Sequence, residues 1–177
     1  MSDRVEDISR YVFTSSDKLF LDTNIWFLIN VPQKPGDSRV NTYSGAYRNM
    51  LTAQSAIYID STVVSEYLNL YVRYGYELSR HKQNLRDFRK SKEFLPVAQD
   101  AVTDAKLLLS RGIWLSNGLE QAVIYDLLDA FALGDSDFND QIISTHCREH
   151  GLQLITDDGD FKGRGHAVLT ANSRLLR

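Results

Sequence analysis

The stretch Lys18-Leu19-Phe20-Leu21-Asp22-Thr23-Asn24-Ile25-Trp26-Phe27 is an apolar run of strand character that stops on an acid. A Thr-Asn pair follows, and then apolar residues at helical spacing. A strand that ends on an acid and turns directly into a helix fits an open α/β sheet, where ligands bind beyond the carboxyl ends of the strands. An aspartate is tolerated there when a helix N-terminus or a metal ion offsets its charge. Asp22 therefore reads as the first member of a carboxylate group that later segments complete.

Those segments follow in alternation. Ahead of the first strand, Val5, Ile8 and Val12 have helical spacing and predict a short helix. Residues 19–22 are the first strand and 24–30 the helix after it. Pro32, Pro35 and Gly36 break that helix into a loop. Residues 40–55 form a helix with Val40, Tyr43, Tyr47 and Leu51 on one stripe. Residues 56–60 are the second strand, and Ser61 or Thr62 can cap the helix that follows. In that helix Val63, Tyr67, Leu70, Tyr71 and Tyr74 make the core stripe, with a dimer face as the alternative for the tyrosines. Glu66 lies off the stripe, near the helix start.

Residues 76–92 are the most basic part of the chain, with Arg80, Lys82, Arg86, Arg89, Lys90, Lys92 and His81 close together. An amphipathic helix over 95–110 carries Ala98, Ala101, Val102, Ala105, Leu108 and Leu109 on one face. Pro96 sits in its first turn and Gly112 just past its end. A short strand is expected at 113–115, then the turn Ser116-Asn117-Gly118. The helix over 119–132 has Val123, Ile124, Leu127, Leu128 and Phe131 as its apolar stripe. Gly134 stops it, Asp135 or Ser136 starts the next helix, and that helix covers 137–150. Strands at 152–155 and 167–169 complete the chain.

This alternation predicts a parallel sheet with helices on both faces. Four acids then fall at corresponding places: Asp22 at the end of the first strand, Glu66 early in the helix after the second, Asp140 in the first turn of its helix, and Asp158 after the strand ending at Ile155. Carboxylates a few ångströms apart raise one another's pKa. A divalent cation removes that cost, and all-oxygen donors suit Mg²⁺ or Mn²⁺. Such an ion lowers the pKa of a bound water and stabilises a phosphodiester transition state, with one or two ions as open alternatives.

In their order and placement, Leu21-Asp22-Thr23-Asn24, Ser65-Glu66, Asp140-Gln141-Ile142-Ile143-Ser144 and Thr156-Asp157-Asp158-Gly159-Asp160-Phe161 resemble the PIN-domain nucleases. The resemblance is strongest to the VapC-type toxins of bacterial toxin–antitoxin pairs. It implies a three-layer α/β/α fold around a parallel sheet of order 3-2-1-4-5. It also implies a Mg²⁺- or Mn²⁺-dependent endoribonuclease in which water attacks the RNA phosphodiester, leaving 5′-phosphate and 3′-hydroxyl ends. By the same match Asp22, Glu66, Asp140 and Asp158 are the metal-site acids, and Thr23, Asn24 and Thr156 support them by hydrogen bonds. An antitoxin protein and a homodimer are the partners it implies. The chain departs from the family by an N-terminal extension over about 1–17, by a basic insert over about 76–96, and by an acid at Asp157 where the family usually has an uncharged residue. Asp137, Asp157 and Asp160 add further acids, read as water-mediated ligands or as solvated groups.

Composition narrows the setting. The 177 residues read as a single domain without repeats or a linker, and the net charge of −3 excludes a globally basic nucleic-acid binder. RNA contacts must therefore be local. Lys162 and Arg164, just past the fourth acid, are candidates, as are Arg86 and Arg89 in the insert, where a solvated face or an antitoxin-docking surface is the alternative. Cys147 is the single cysteine, so no internal disulfide forms. Met1–Lys18 lacks a signal-peptide core and no apolar run reaches membrane length. A cytoplasmic protein is the expectation. His146 and His150, four residues apart, read as surface residues. Rival readings are an RNA- or protein-binding module with a vestigial site, and an RNA-processing nuclease without an antitoxin. Phosphoryl transfer to aspartate ranks last, because Asn24 stands where haloacid-dehalogenase-like phosphatases need a second Asp.

Overall fold

The computed structural model describes residues 4–79, 84–116, 118–134 and 137–177. Among these, six strands form one sheet: β1 (Val5–Asp7), β2 (Lys18–Leu21), β3 (Ala56–Ile59), β4 (Ile113–Trp114), β5 (Gln153–Ile155) and β6 (Val168–Thr170). Every pairing is parallel, in the order β1-β6-β5-β2-β3-β4. Counted from β2, the other five keep the expected 3-2-1-4-5 order, and β1 is added at the outer edge of β6.

That added strand corrects the helix expected before β2. Val5, Glu6 and Asp7 pair with Val168, Leu169 and Thr170. Ile8 is buried, but Val12, assigned to the same helical face, is 81% exposed. An isolated single helical turn is unfavourable to nucleate, whereas an open sheet edge supplies hydrogen bonds at once.

β2 lies at the centre, between β3 and β5. Phe20 pairs with Tyr58 on one side and Leu154 on the other. Leu19, Phe20 and Leu21 are fully buried, as a parallel strand covered on both faces requires.

Seven helices are described: α1 (Thr23–Asn30), α2 (Ser38–Ala53), α3 (Ser61–Leu78), α4 (Leu85–Phe88), α5 (Phe94–Arg111), α6 (Gln121–Ala132) and α7 (Phe138–His150). Aspartates cap three of the helices that frame the sheet's carboxyl edge. Asp37 accepts from the Arg39 amide, Asp60 from Val63 and Asp137 from Asn139. Asp60 thus replaces Ser61 or Thr62 as the cap of α3, since the last residue before a helix is the one in extended conformation. Asp137 caps α7; Asp135 and Ser136, expected there, lie outside the described residues. So do Arg80, His81 and Lys82 of the basic segment, and Asn117 of the turn before α6.

The helical stripes are only partly core. Tyr43 and Tyr47 of α2 are buried while Leu51 is exposed. In α5, Ala101, Ala105 and Leu108 are buried, but Val102 and Leu109 are not. In α6 only Leu127 is buried, and Leu128 and Phe131 are exposed. These outer helices are apolar over a wider arc than their contact covers. On α3, Val63 and Tyr67 are buried, and Tyr67, Tyr71 and Tyr74 make ring contacts with one another and with Phe27 of α1. The tyrosines therefore pack inward. Among the described residues no helix is long and apolar enough to cross a membrane.

Candidate active site

Asp22 stands where β2 gives way to α1. Its amide donates to the Ile155 carbonyl, extending the β2–β5 ladder by one residue, and its carbonyl accepts from Ile25 and Trp26 to open the helix. The side chain is buried. Its Oδ2 accepts from Asn24 Nδ2 and from Thr156 Oγ1, both at 2.6 Å. Thr156 Oγ1 in turn accepts from the Asp158 amide at 3.0 Å, and Asn24 Oδ1 from the Asp157 amide at 3.3 Å. This network ties the end of β2 to the loop after β5. Two short charge-assisted bonds favour the carboxylate, yet burial outweighs them. Burial, with the charges of Glu66 and Asp140 added, pushes the Asp22 carboxyl up to about 7 against the pull of Thr156.

Beside Asp22 opens an acidic cleft of about 370 Å³. The first turns of α3 supply Ser65, Glu66 and Asn69, with Leu70 and Arg73 beyond them. The start of α7 supplies Asp137, Asn139 and Asp140, and the turn after β5 supplies Asp158 and Asp160. Burial raises the Glu66 carboxyl, and the fields of Asp137 and Asp158 raise it further. Asp140 rises to about 6, chiefly through burial; Arg164 opposes the rise, and Asp158, Asp137 and Glu66 add to it. Asp158 Oδ1 accepts from the Asp160 amide and opens a 3-10 turn over Gly159–Phe161. Among the described residues, no three acids of this cleft bring their oxygens within 4.8 Å of one another. An all-oxygen donor set whose members hold one another's protons fits a hard divalent cation, which would remove the repulsion.

The remaining candidates divide. Asn24 and Thr156 touch Asp22 directly. Thr23 is buried, and its hydroxyl lies against Glu66, where it opposes the rise of that carboxyl. Asp137 caps α7 and also lines the cleft. Asp157 faces α2 instead, where it accepts from Arg39 at 3.0 Å and from the Tyr43 hydroxyl at 2.9 Å. Arg164 reaches over the Phe161 ring, 5.6 Å from its centroid, and its charge is felt at Asp140. Lys162 is drawn off to the Arg177 carbonyl. Arg89 donates to Asn69 Oδ1 at 3.3 Å, on the cleft wall, while Arg86 is exposed. His146, read as a surface residue, is instead 1% exposed. It lies beside Asp60, the cap of α3, with Nε2 3.7 Å from Asp60 Oδ2, and only His150 is exposed. Arg73 was not among the sequence candidates. It lies seven residues, two helical turns, beyond Glu66, and that spacing marks it as a residue of the same face.

Fold and cleft together define an α/β protein whose carboxylates line a cleft at the carboxyl edge of a parallel sheet. The PIN domain family matches residues 19–166, and the chain belongs to that family of nucleases. A chain of VapBC2 from Rickettsia felis, solved bound to a DNA fragment from their promoter, shares the fold. Its TM-score is 0.54 at 18% identity, over 86% of this chain and 97% of that one. A chain of FitAB bound to the IR36 DNA fragment gives a TM-score of 0.45 at 18% identity, over 86% and 94% of the two chains. No curated protein matches in sequence.

Proposed function

We propose that the chain is a Mg²⁺- or Mn²⁺-dependent endoribonuclease and the toxin half of a toxin–antitoxin pair, acting in the cytoplasm on RNA. The observation that carries this reading is the cleft in which Glu66, Asp140 and Asp158 converge beside the buried Asp22, each of Asp22, Glu66 and Asp140 held above its ordinary pKa. These four acids would hold one or two divalent ions, which supply an activated water and charge stabilisation for the scissile phosphate.

The chain's own groups do the positioning. Asn24 and Thr156 fix the Asp22 carboxylate by two hydrogen bonds and couple it to the loop that carries Asp158. Asp137, as the cap of α7, sets where that helix begins and so where Asp140 projects. Arg73 and Arg164 bring positive charge to the rim of an otherwise acidic cleft, where an RNA phosphate needs it. The likeness to a VapBC2 chain supports an antitoxin partner, and co-purification with the product of the adjacent reading frame tests it. A homodimer is tested by light scattering.

The deciding experiment is cleavage of a mixed RNA pool by the purified protein with Mn²⁺, with Mg²⁺ and with EDTA, alongside Asp22→Asn and Asp140→Asn proteins matched by circular dichroism. Metal-dependent cutting, lost in both variants, is the expected result. A folded protein that cuts in no lane would sink the catalytic reading in favour of a binding module.

A further inference from the structure

We propose that His146, Glu149 and His150 form a second metal site, distinct from the acidic cleft, that takes a first-row transition ion of the zinc type. The proposal stands apart from the nuclease reading and does not depend on it. At spacings of three and four residues, the three side chains share one face of α7. One ligand atom from each lies within 4.8 Å of the other two, the one such trio among the described residues.

His146 supplies the second observation. It is buried, and neither Nδ1 nor Nε2 makes a hydrogen bond. Buried polar groups are ordinarily satisfied, and leaving one unpaired costs about 1–3 kcal/mol. An ion on one ring nitrogen resolves that cost. The other nitrogen already has a neighbour: Asp60 Oδ2, itself buried and without a hydrogen-bond partner, stands 3.7 Å from His146 Nε2. A carboxylate behind the far nitrogen is the usual support of a metal-bound histidine.

The remaining features agree. His146 is 1% exposed and Asp60 lies behind it, so the ring is held in place before any ion arrives. Glu149 and His150 are exposed and give the ion a path from solvent. The trio lies in the last turns of α7, where the helix dipole favours a cation. Two imidazoles and a carboxylate select Zn²⁺, Co²⁺ or Ni²⁺ over Mg²⁺. Because Asp60 caps α3, the helix of Glu66, and α7 carries Asp140, an ion here would brace both walls of the cleft from behind.

Untagged, chelator-stripped protein is titrated with Zn²⁺ by calorimetry in excess Mg²⁺, and with Co²⁺ by visible absorption. The exposed variants His150→Ala and Glu149→Gln leave the buried core intact, and Asp140→Asn serves as the control for the acidic cleft. The expected result is Zn²⁺ binding that survives Mg²⁺ and Asp140→Asn, weakens by ~10-fold or more in His150→Ala, and is accompanied by a Co²⁺ d–d band that the same variant loses. Absence of Zn²⁺ binding in Mg²⁺ overturns the proposal. So does binding that ignores His150→Ala and disappears in Asp140→Asn, which would place the ion in the acidic cleft.

Discussion

Burial pushes the Asp22 carboxyl from its ordinary 3.8 up to about 7, and this sets a pH dependence. The unfolded chain ionises the group near pH 4, while the fold resists ionisation until about pH 7. The stability that goes with the protonated form is therefore complete below about pH 4 and is lost as pH rises through about 7. In EDTA the protein should lose up to about 4 kcal/mol across that window, measured by chemical denaturation at each pH. Asp22→Asn should flatten the curve, and Mn²⁺ should restore stability at the alkaline end. Asp140, raised to about 6, adds a slope of the same sign. Activity should divide by contact. Asp140→Asn should lower metal-dependent cleavage by more than ~100-fold, and Thr156→Val, which removes a support of Asp22 and no proposed ligand, by about 10–100-fold. A Thr156→Val loss as large as that of Asp140→Asn would show that positioning governs the site.

The close approach of α3 and α5 rests on Gly75. A Cβ there would overlap the Val97 side chain, with Cγ2 at 2.8 Å and Cβ at 3.2 Å. The gain in helix propensity from Gly75→Ala, about 0.5–1 kcal/mol, is outweighed by an overpacking cost of about 1–3 kcal/mol. Net destabilisation is expected, and Val97→Ala should reverse it by making room. In α6, Leu127→Ala should cost about 2–4 kcal/mol, because that side chain is 8% exposed, and Leu128→Ala under about 1 kcal/mol, because its neighbour is 46% exposed. Equal losses would mean that something covers the outer face. That pair also shows what sequence pattern carries. β2, β3, β5 and β6 were legible because a parallel strand covered on both faces is an apolar run that ends in turn residues, and Asp22 after β2 and Asp158 after β5 were legible with them. The apolar arc of α6 does not say how much of it finds a partner. β1 was illegible because three residues at helical spacing say nothing of a vacant edge at Val168–Thr170. His146 was misjudged because its neighbour Asp60 comes from the start of α3, which the pattern of α7 does not show.

On the proposed reading, RNA would meet a chain of net charge −3 with an acidic cleft, so its binding would rest on a few cations at the rim. Arg73→Gln with Arg164→Gln should weaken binding of an uncut RNA by the Asp140→Asn protein and reduce its salt dependence by about one to two phosphate contacts. Fluorescence anisotropy across a salt series measures both, and an unchanged slope would remove these arginines from the path of the RNA. The sheet order has a further consequence, one of timing. β2 finds one neighbour, β3, within a few dozen residues, but the other, β5, ends at Ile155, and Asp22 leans on Thr156. A chain leaving the ribosome has its first acid long before it has the strand and hydroxyl that hold that acid in place. Until residues past Asp158 emerge, the nascent chain has no cleft, and any activity that needs the cleft waits for them.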